Sequence, residues 1–277
     1  MSVYSYLGPA GTFTEAALIP ILKPGDKSVP AVNVTAALDA VRSGTADYAI
    51  VPIENSVEGV VARTLDELAS GEPLLIIGES ILAVSFALMV KPGVKISEIK
   101  KLATHPHAEA QCRTYIANNY PHAEVVATNS TAAAAEALNR GEFDAAIASA
   151  VAADHYGLEI LAENIGDNTE AVTRFVLVSK PGELTKPTGH DRTSMAIFIG
   201  TDHAGALLEI LTEFATRNVN LTFIQSRPTG KELGDYHFIV DAEGHINDAN
   251  VGQAVTRLRE ICEEIRFLGS YPREESK

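Results

Sequence analysis

The chain has 277 residues, 46% of them hydrophobic, enough to bury more than one core. Its formal net charge of −14 excludes a general field that attracts nucleic acid or anionic membrane, so an anionic ligand must be held by local donors. Two cysteines, Cys112 and Cys262, stand in no CxxC pattern; they give no disulfide framework or zinc signature and suit a reducing compartment.

The first residues, "MSVYSYLGPAG", form neither a basic leader nor an apolar signal segment. The longest apolar stretch, "ILAVSFALMV", is about half the length of a membrane span. Both point to a soluble cytoplasmic protein. Strand-like and helix-like runs then alternate as "VYSYLG", "TEAALI", "VPAVNV", "AALDAVRS" and "DYAIVPI". The order predicts an α/β layer fold with largely parallel strands. A second block repeats it with "KKLATH", "AEAQCRTYIAN", "AEVVATN", "AAAAEALNR" and "FDAAIAS". In its first helix Ala108, Cys112, Tyr115 and Ile116 recur at helical spacing and predict the buried face. Aligning "NVTAALDAVRSG" with "NSTAAAAEALNRG" matches Asn33 with Asn129, Thr35 with Thr131, Gly44 with Gly141 and Asp47 with Asp144. Alanine richness inflates such matches, so chance and internal duplication both stand. Duplication would give two similar lobes with a ligand crevice between them, outside the carboxyl ends of the strands.

The stretch "SKPGELTKPTGHDR", residues 179–192, separates two patterned regions with prolines, glycines and mixed charge. Beyond it "TSMAIFIG", "GALLEILTEFATRN", "LTFIQSRP", "DYHFIVDAEG", "NDANVGQAVTRLREICEE" and "IRFLGSY" read as a βαββαβ unit of the ferredoxin-like kind. Val255, Leu258, Ile261, Cys262 and Ile265 supply the apolar stripe of its second helix.

Several strands in the first region run into small polar loops. "LGPAGTFTEA" sets Gly8, Gly11, Thr12 and Thr14 before a helix, and "VPIENSVEG" sets Glu54, Asn55 and Ser56 after a strand. "ATHPHAEA" offers Thr104 as a cap with Pro106 in the first turn; "ATNSTAAAA" offers Ser130 or Thr131. Singly, each is an ordinary helix cap that satisfies orphan N–H groups. Together, helix N-termini aimed at one cleft make an anion site. "HPH" lacks a third metal ligand at a convincing spacing, "GPAG" lacks the GxGxxG spacing, and no GxSxG elbow occurs. In "NTEAVTRFVLVS", Thr173 and Arg174 stand at the mouth of an apolar strand, where they either cap it or face a ligand.

In this order "GPAGTFTEAA", "VPIENSVEG", "HPHA", "NSTAAA" and "TRF" resemble the bacterial prephenate dehydratase family. The βαββαβ unit, with "GALL" and "SRP", resembles the ACT domain that carries phenylalanine feedback in that family. The start at "YSYLGPAG" suits the monofunctional type. The resemblance implies a two-lobed, periplasmic-binding-protein-like domain over residues 1–180, with lobe one about 1–77 plus 159–180 and lobe two about 78–158. It further implies a linker over 181–191 and an ACT domain over 192–273. It implies decarboxylating dehydration of prephenate to phenylpyruvate, without cofactor or metal, by a homodimer or homotetramer regulated by L-phenylalanine. Thr173 is then the proton donor, Asn55 and Ser56 hold substrate or leaving group, and Thr12 and Thr14 line the cleft. Ser130 and Thr131 donate to a carboxylate, Gly11 lets the backbone approach closely, and Glu54 orients its loop. Arg174 pins a carboxylate or, the reading favoured here, braces the loop, because Phe175 already enters the core. An effector pocket is implied around Gly205, Ala206, Leu207, Leu208, Asn220, Leu221, Gln225 and Ser226. The sequence departs from the family at Ala171, where asparagine is usual, at His107 for glutamine and at Gln225 for glutamate. "DHAG" also lacks the usual proline before Gly205. Two alternatives stand beside this reading, a non-catalytic cytoplasmic sensor and a dehydratase of arogenate.

Overall fold

The computed structural model describes residues 1–200, 203–230 and 236–274. Asp202 of "DHAG" and Asp235 of "DYHFIVDAEG" lie outside the described residues. The chain divides into two compact units. The first comprises Met1–Ala37, Ile50–Val60 and Ile81–Phe175, the second Leu38–Ala49, Val61–Ser80 and Val176–Lys277.

In chain order the elements begin with β1 (Val3–Leu7), α1 (Phe13–Leu18), β2 (Lys27–Ala31), α2 (Val34–Ser43), β3 (Tyr48–Asn55), β4 (Gly59–Val60), α3 (Ala62–Ser70) and β5 (Leu75–Ala83). There follow β6 (Ala87–Val90), β7 (Lys101–Thr104), α4 (Pro106–Gln111), α5 (Arg113–Asn119), β8 (Glu124–Ala127), α6 (Thr131–Arg140), β9 (Ala145–Ala148), α7 (Ala150–Tyr156) and β10 (Glu159–Ala162). The last are β11 (Val172–Ser179), β12 (Asp191–Phe198), α8 (Ala206–Ala215), β13 (Leu221–Pro228), β14 (Tyr236–Glu243), α9 (Ala249–Ile261) and β15 (Glu264–Pro272).

One sheet has the order β2-β1-β3-β11-β5 with β4 beside β3, and a second has the order β10-β6-β9-β7-β8. The chain passes from the first sheet to the second between β5 and β6, and returns between β10 and β11. The second sheet is more mixed than the sequence pattern predicts. β7 runs parallel to β8 and β9, but β6 is antiparallel to both of its neighbours, β9 and β10. Its central strands "ALMV" and "AAIA" are buried throughout, as strands covered on both faces must be. The alanine run of α6 packs on them: Ala134, Ala135 and Leu138 share a core with Ala103, Ala146 and Ala148.

The two halves do share a local design. α2 and α6 are each followed by a left-handed glycine, Gly44 at φ +79° and Gly141 at φ +84°, then by an aspartate and a strand. The caps shift the alignment, however. Asn33 Oδ1 accepts the Ala36 N–H and Ser130 Oγ the Ala133 N–H, so Asn33 stands with Ser130, one residue away from Asn129.

"AEAQCRTYIAN" is two helices, not one. Cys112 sits at φ −117°, ψ 16° between α4 and α5. The neighbouring loop takes over hydrogen bonds that a continuous helix would make itself: Asp167 N–H donates to the Gln111 carbonyl at 2.6 Å, and Asp167 Oδ2 accepts the Thr114 N–H at 3.2 Å. The apolar stripe survives the break, since Ala108, Cys112 and Ile116 are all buried.

The third sheet, β13-β14-β12-β15, is antiparallel throughout and lies within the second unit. Met195, Ile197, Val240 and Ala242 from its strands pack against Ile210 and Phe214 of α8 and Val251, Val255 and Leu258 of α9. α9 ends at Ile261, earlier than its pattern suggests, because the Glu263 N–H is drawn to the Phe198 carbonyl. Ile265 therefore reaches the same core from β15.

Candidate active site

A cavity of about 440 Å³ lies within the first unit, the size of a small-molecule site. Leu7, Pro52, Thr173 and Phe175 reach it from β1, β3 and β11; Thr12, Phe13 and Thr14 come from the start of α1, and Ser130, Thr131 and Ala133 from the start of α6. Sequence reasoning missed Leu7, Pro9, Phe13, Val32, Pro52, Asn129 and Ala133 as lining residues. Only Asn129 carried a signal, as the residue before a capping serine. None of the described lining residues is charged. Its polar donors are hydroxyls, one amide and backbone N–H groups.

The first loop is held by its own residues. Thr12 caps α1, accepting the Glu15 N–H, while its hydroxyl donates to the Leu7 carbonyl at 3.1 Å. Glu15 in turn accepts the Gly11 N–H at 2.5 Å and the Tyr6 hydroxyl at 3.0 Å. Burial, then the Glu15 charge, pushes the Tyr6 phenol up, so it stays a donor. Gly11 makes its close approach to α7: at φ +83°, a Cβ would stand 2.9 Å from Ala152 Cα. Ser149 Oγ donates to the Gly11 carbonyl at 3.1 Å, and Tyr156 Oη to that of Ala10 at 3.1 Å.

Across the cavity, Ser130 caps α6 through the Ala133 N–H at 3.0 Å, leaving its own hydroxyl proton free to donate. The Thr131 and Ala132 N–H groups precede the first intrahelical bond, and the helix dipole adds partial positive charge there.

Thr173 is buried at the start of β11, with a specific partner. Asn55 Nδ2 donates to Thr173 Oγ1 at 2.7 Å across 118 residues of sequence. The amide orientation is fixed, because Asn55 Oδ1 accepts the Val57 and Glu58 N–H groups, each at 2.8 Å. Ser56 clamps the same loop to β11: its N–H donates to the Val172 carbonyl at 2.9 Å and its Oγ accepts the Val172 N–H at 3.0 Å. Thr173 Oγ thus receives a hydrogen bond, and its own proton is free to point elsewhere. Ala171, in the place of the family's asparagine, is buried in the apolar core.

Arg174 and Glu54 do not line the cavity; Arg174 Nη1 lies 4.0 Å from Glu54 Oε2. Thr104 is not the cap of α4. It is buried and donates to the Ile147 carbonyl at 2.8 Å, and His105 Nδ1 takes the capping bond from the His107 N–H at 3.3 Å. Burial, then the nearby His107, lowers the His105 pKa against an opposing pull from Glu58. Among the described residues no three or more His, Cys, Asp or Glu side chains are placed to hold a metal, and no helix is long and apolar enough to cross a membrane.

The family profile "Prephenate dehydratase" matches residues 4–183, and the profile "ACT domain" matches residues 194–260. The chain belongs to the prephenate dehydratase family. A prephenate dehydratase of Amycolatopsis methanolica is 47% identical over 99% of this chain and 89% of its own. The crystal structure of the prephenate dehydratase from Arthrobacter aurescens, in complex with L-Phe, superposes with a TM-score of 0.91 at 49% identity, over 98% of this chain and 90% of that one. A structure described as GqqA, a novel type of quorum quenching acylase, reaches a TM-score of 0.87 at 30% identity, over 98% of both chains. As a prephenate dehydratase family member the chain is a lyase with a C-terminal ACT domain. In that domain Gly205 caps α8 at φ +96°, followed by Ala206, Leu207 and Leu208, with Leu208 exposed. Asn220 precedes β13, the edge strand that carries Leu221, Gln225 and Ser226. Gln225 Nε2 donates to the Ser226 carbonyl at 2.9 Å.

Proposed function

We propose that Thr173 protonates the leaving hydroxyl of prephenate within the 440 Å³ cavity. The ring carboxylate leaves as carbon dioxide, its bonding pair completes the aromatic ring, and the hydroxyl leaves as water with the threonine proton. The threonine then recovers its proton from solvent. A free threonine hydroxyl is far too weak an acid for this. The observation that carries the reading is the Asn55–Thr173 hydrogen bond, because an N–H aimed at Oγ1 stabilises negative charge as it develops there. Ser130, Thr131, Thr12 and Thr14 bind the two carboxylates from the ends of α6 and α1. The pyruvyl keto group suits these neutral donors, whereas the ammonium of arogenate would meet no carboxylate among the lining residues. Acylase chemistry at the same hydroxyl would need a base to take its proton, and an amide N–H cannot serve as one.

The ACT domain binds L-phenylalanine near Gly205–Leu208 and Asn220–Ser226 and lowers turnover. The functional divisions are residues 1–180 and 192–273, and the protein acts as a cytoplasmic homodimer or homotetramer. The L-Phe complex of the Arthrobacter relative supports the effector.

Following phenylpyruvate by its alkaline absorbance tests the catalytic reading. The wild-type chain should turn over prephenate, and Thr173→Ala should lower kcat by at least about a hundredfold. An inactive wild type, or an active Thr173→Ala variant, defeats the assignment. Adding L-phenylalanine should suppress the same rate and release binding heat in calorimetry; a silent titration removes the effector.

A further inference from the structure

We infer that Glu58 is a positioning residue for the dehydration: its carboxylate fastens the turn bearing Asn55 to helix α4, and through Asn55 sets the Thr173 hydroxyl, a role that rests on the dehydratase reading of Thr173. Glu58 closes the turn in two ways. Its backbone N–H helps fix the Asn55 amide at 2.8 Å. Its side chain reaches α4, where Oε1 accepts from Gln111 Nε2 at 3.2 Å and Oε2 lies 3.5 Å from His107 Nδ1. His107 and Gln111 are four residues apart and share one face of α4.

The turn therefore has two anchorages. Ser56 ties it to β11 from one side. Glu58 ties it to α4 from the other. Gln111 strengthens the second tie, because its own carbonyl accepts the Asp167 N–H from the loop leading into β11. One short helix thus touches both segments that meet at the Asn55–Thr173 bond. Losing the α4 anchorage frees the turn to pivot about Ser56, which lengthens a 2.7 Å bond whose function depends on its length and direction.

Stability is not what this contact provides. The Glu58 and His107 side chains are 38% and 63% exposed, and such pairs contribute little to folding. Nor does Glu58 line the cavity, so substrate binding should not depend on it.

The test uses the purified full chain, steady-state phenylpyruvate formation and thermal melts. Glu58→Ala should lower kcat about tenfold with KM within about twofold, and with the melting temperature unchanged. Glu58→Gln keeps an acceptor for Gln111 and should recover most of the loss. In an Asn55→Ala background, Glu58→Ala should add less than about a twofold loss, because the lever is already gone. A Glu58→Ala kcat equal to wild type, a change in KM alone, or an undiminished loss in the Asn55→Ala background overturns the assignment. An inactive wild-type chain instead overturns the dehydratase reading before any variant is compared.

Discussion

At the scale of single residues, the polarity of one hydrogen bond decides what Thr173 can do. An acceptor beside the hydroxyl would hold its proton; the Asn55 N–H leaves that proton free and supports the oxygen as it gains charge. Asn55→Ala removes the support and should lower kcat by about a hundredfold at nearly constant KM. Asn55→Asp should be worse: one carboxylate oxygen keeps accepting the Val57 and Glu58 N–H groups, and the other then accepts the threonine proton, which takes the hydroxyl out of service. Steady-state rates for the two variants check the order, and an aspartate variant more active than the alanine one would contradict it. The sequence marks Asn55 and Thr173 as interesting polar residues at strand ends. It does not show that one serves the other.

At the scale of elements, the break between α4 and α5 places Cys112 in an apolar core with Ala108, Ile116 and Leu102. The thiol is fully buried, and burial, then the Asp167 charge, pushes its pKa from 9.0 up to about 12. Below pH 9 the thiol is neutral in both folded and unfolded chains. Above pH 9 the unfolded thiol ionises first, so this group removes stability as pH rises toward 12, by about 1.4 kcal/mol per pH unit. Denaturant melts at pH 8 and pH 10 should show the loss, and Cys112→Ala should flatten the slope while lowering the stability at pH 8. A Cys112→Ala variant with the same alkaline slope would assign the effect elsewhere.

At the scale of the molecule, the segment between the Asn55 turn and β5 belongs with the second unit. Arg192 of β12 pairs with Glu79 at 2.7 Å, their side chains 9% and 0% exposed. Arg227 of the "SRP" stretch forks onto Asp66 of α3 at 2.9 and 2.7 Å, and Arg266 donates to the Ala69 and Gly71 carbonyls. Gly269, at φ +147°, lies so close to the Ile76 carbonyl that a Cβ would stand 2.1 Å from its oxygen. Breaking the buried pair removes the cation from a buried carboxylate that keeps the Glu274 N–H at 3.0 Å. Arg192→Ala should destabilise this unit by about 3–5 kcal/mol, read as a lowered denaturant midpoint. A shift below about 1 kcal/mol would show that the remaining partners of Glu79 hold its charge without Arg192.

The sequence by itself determined the class of fold and the order of motifs, and it marked candidate helix caps. Thr12 and the Ser130–Thr131 pair stand out as cap candidates, and the glycines at 44 and 141 as matching positions, because each contact lies within a few residues and leaves a local signature. The same locality misled at Thr104 and at Cys112, where contacts from Ile147 and Asp167 override the neighbouring pattern. Only the tertiary structure decided what Thr173 leans on, and which unit holds α3. Those pairings join strand ends and helices far apart in the chain, and their partners are chosen by packing, which no spacing along a sequence records.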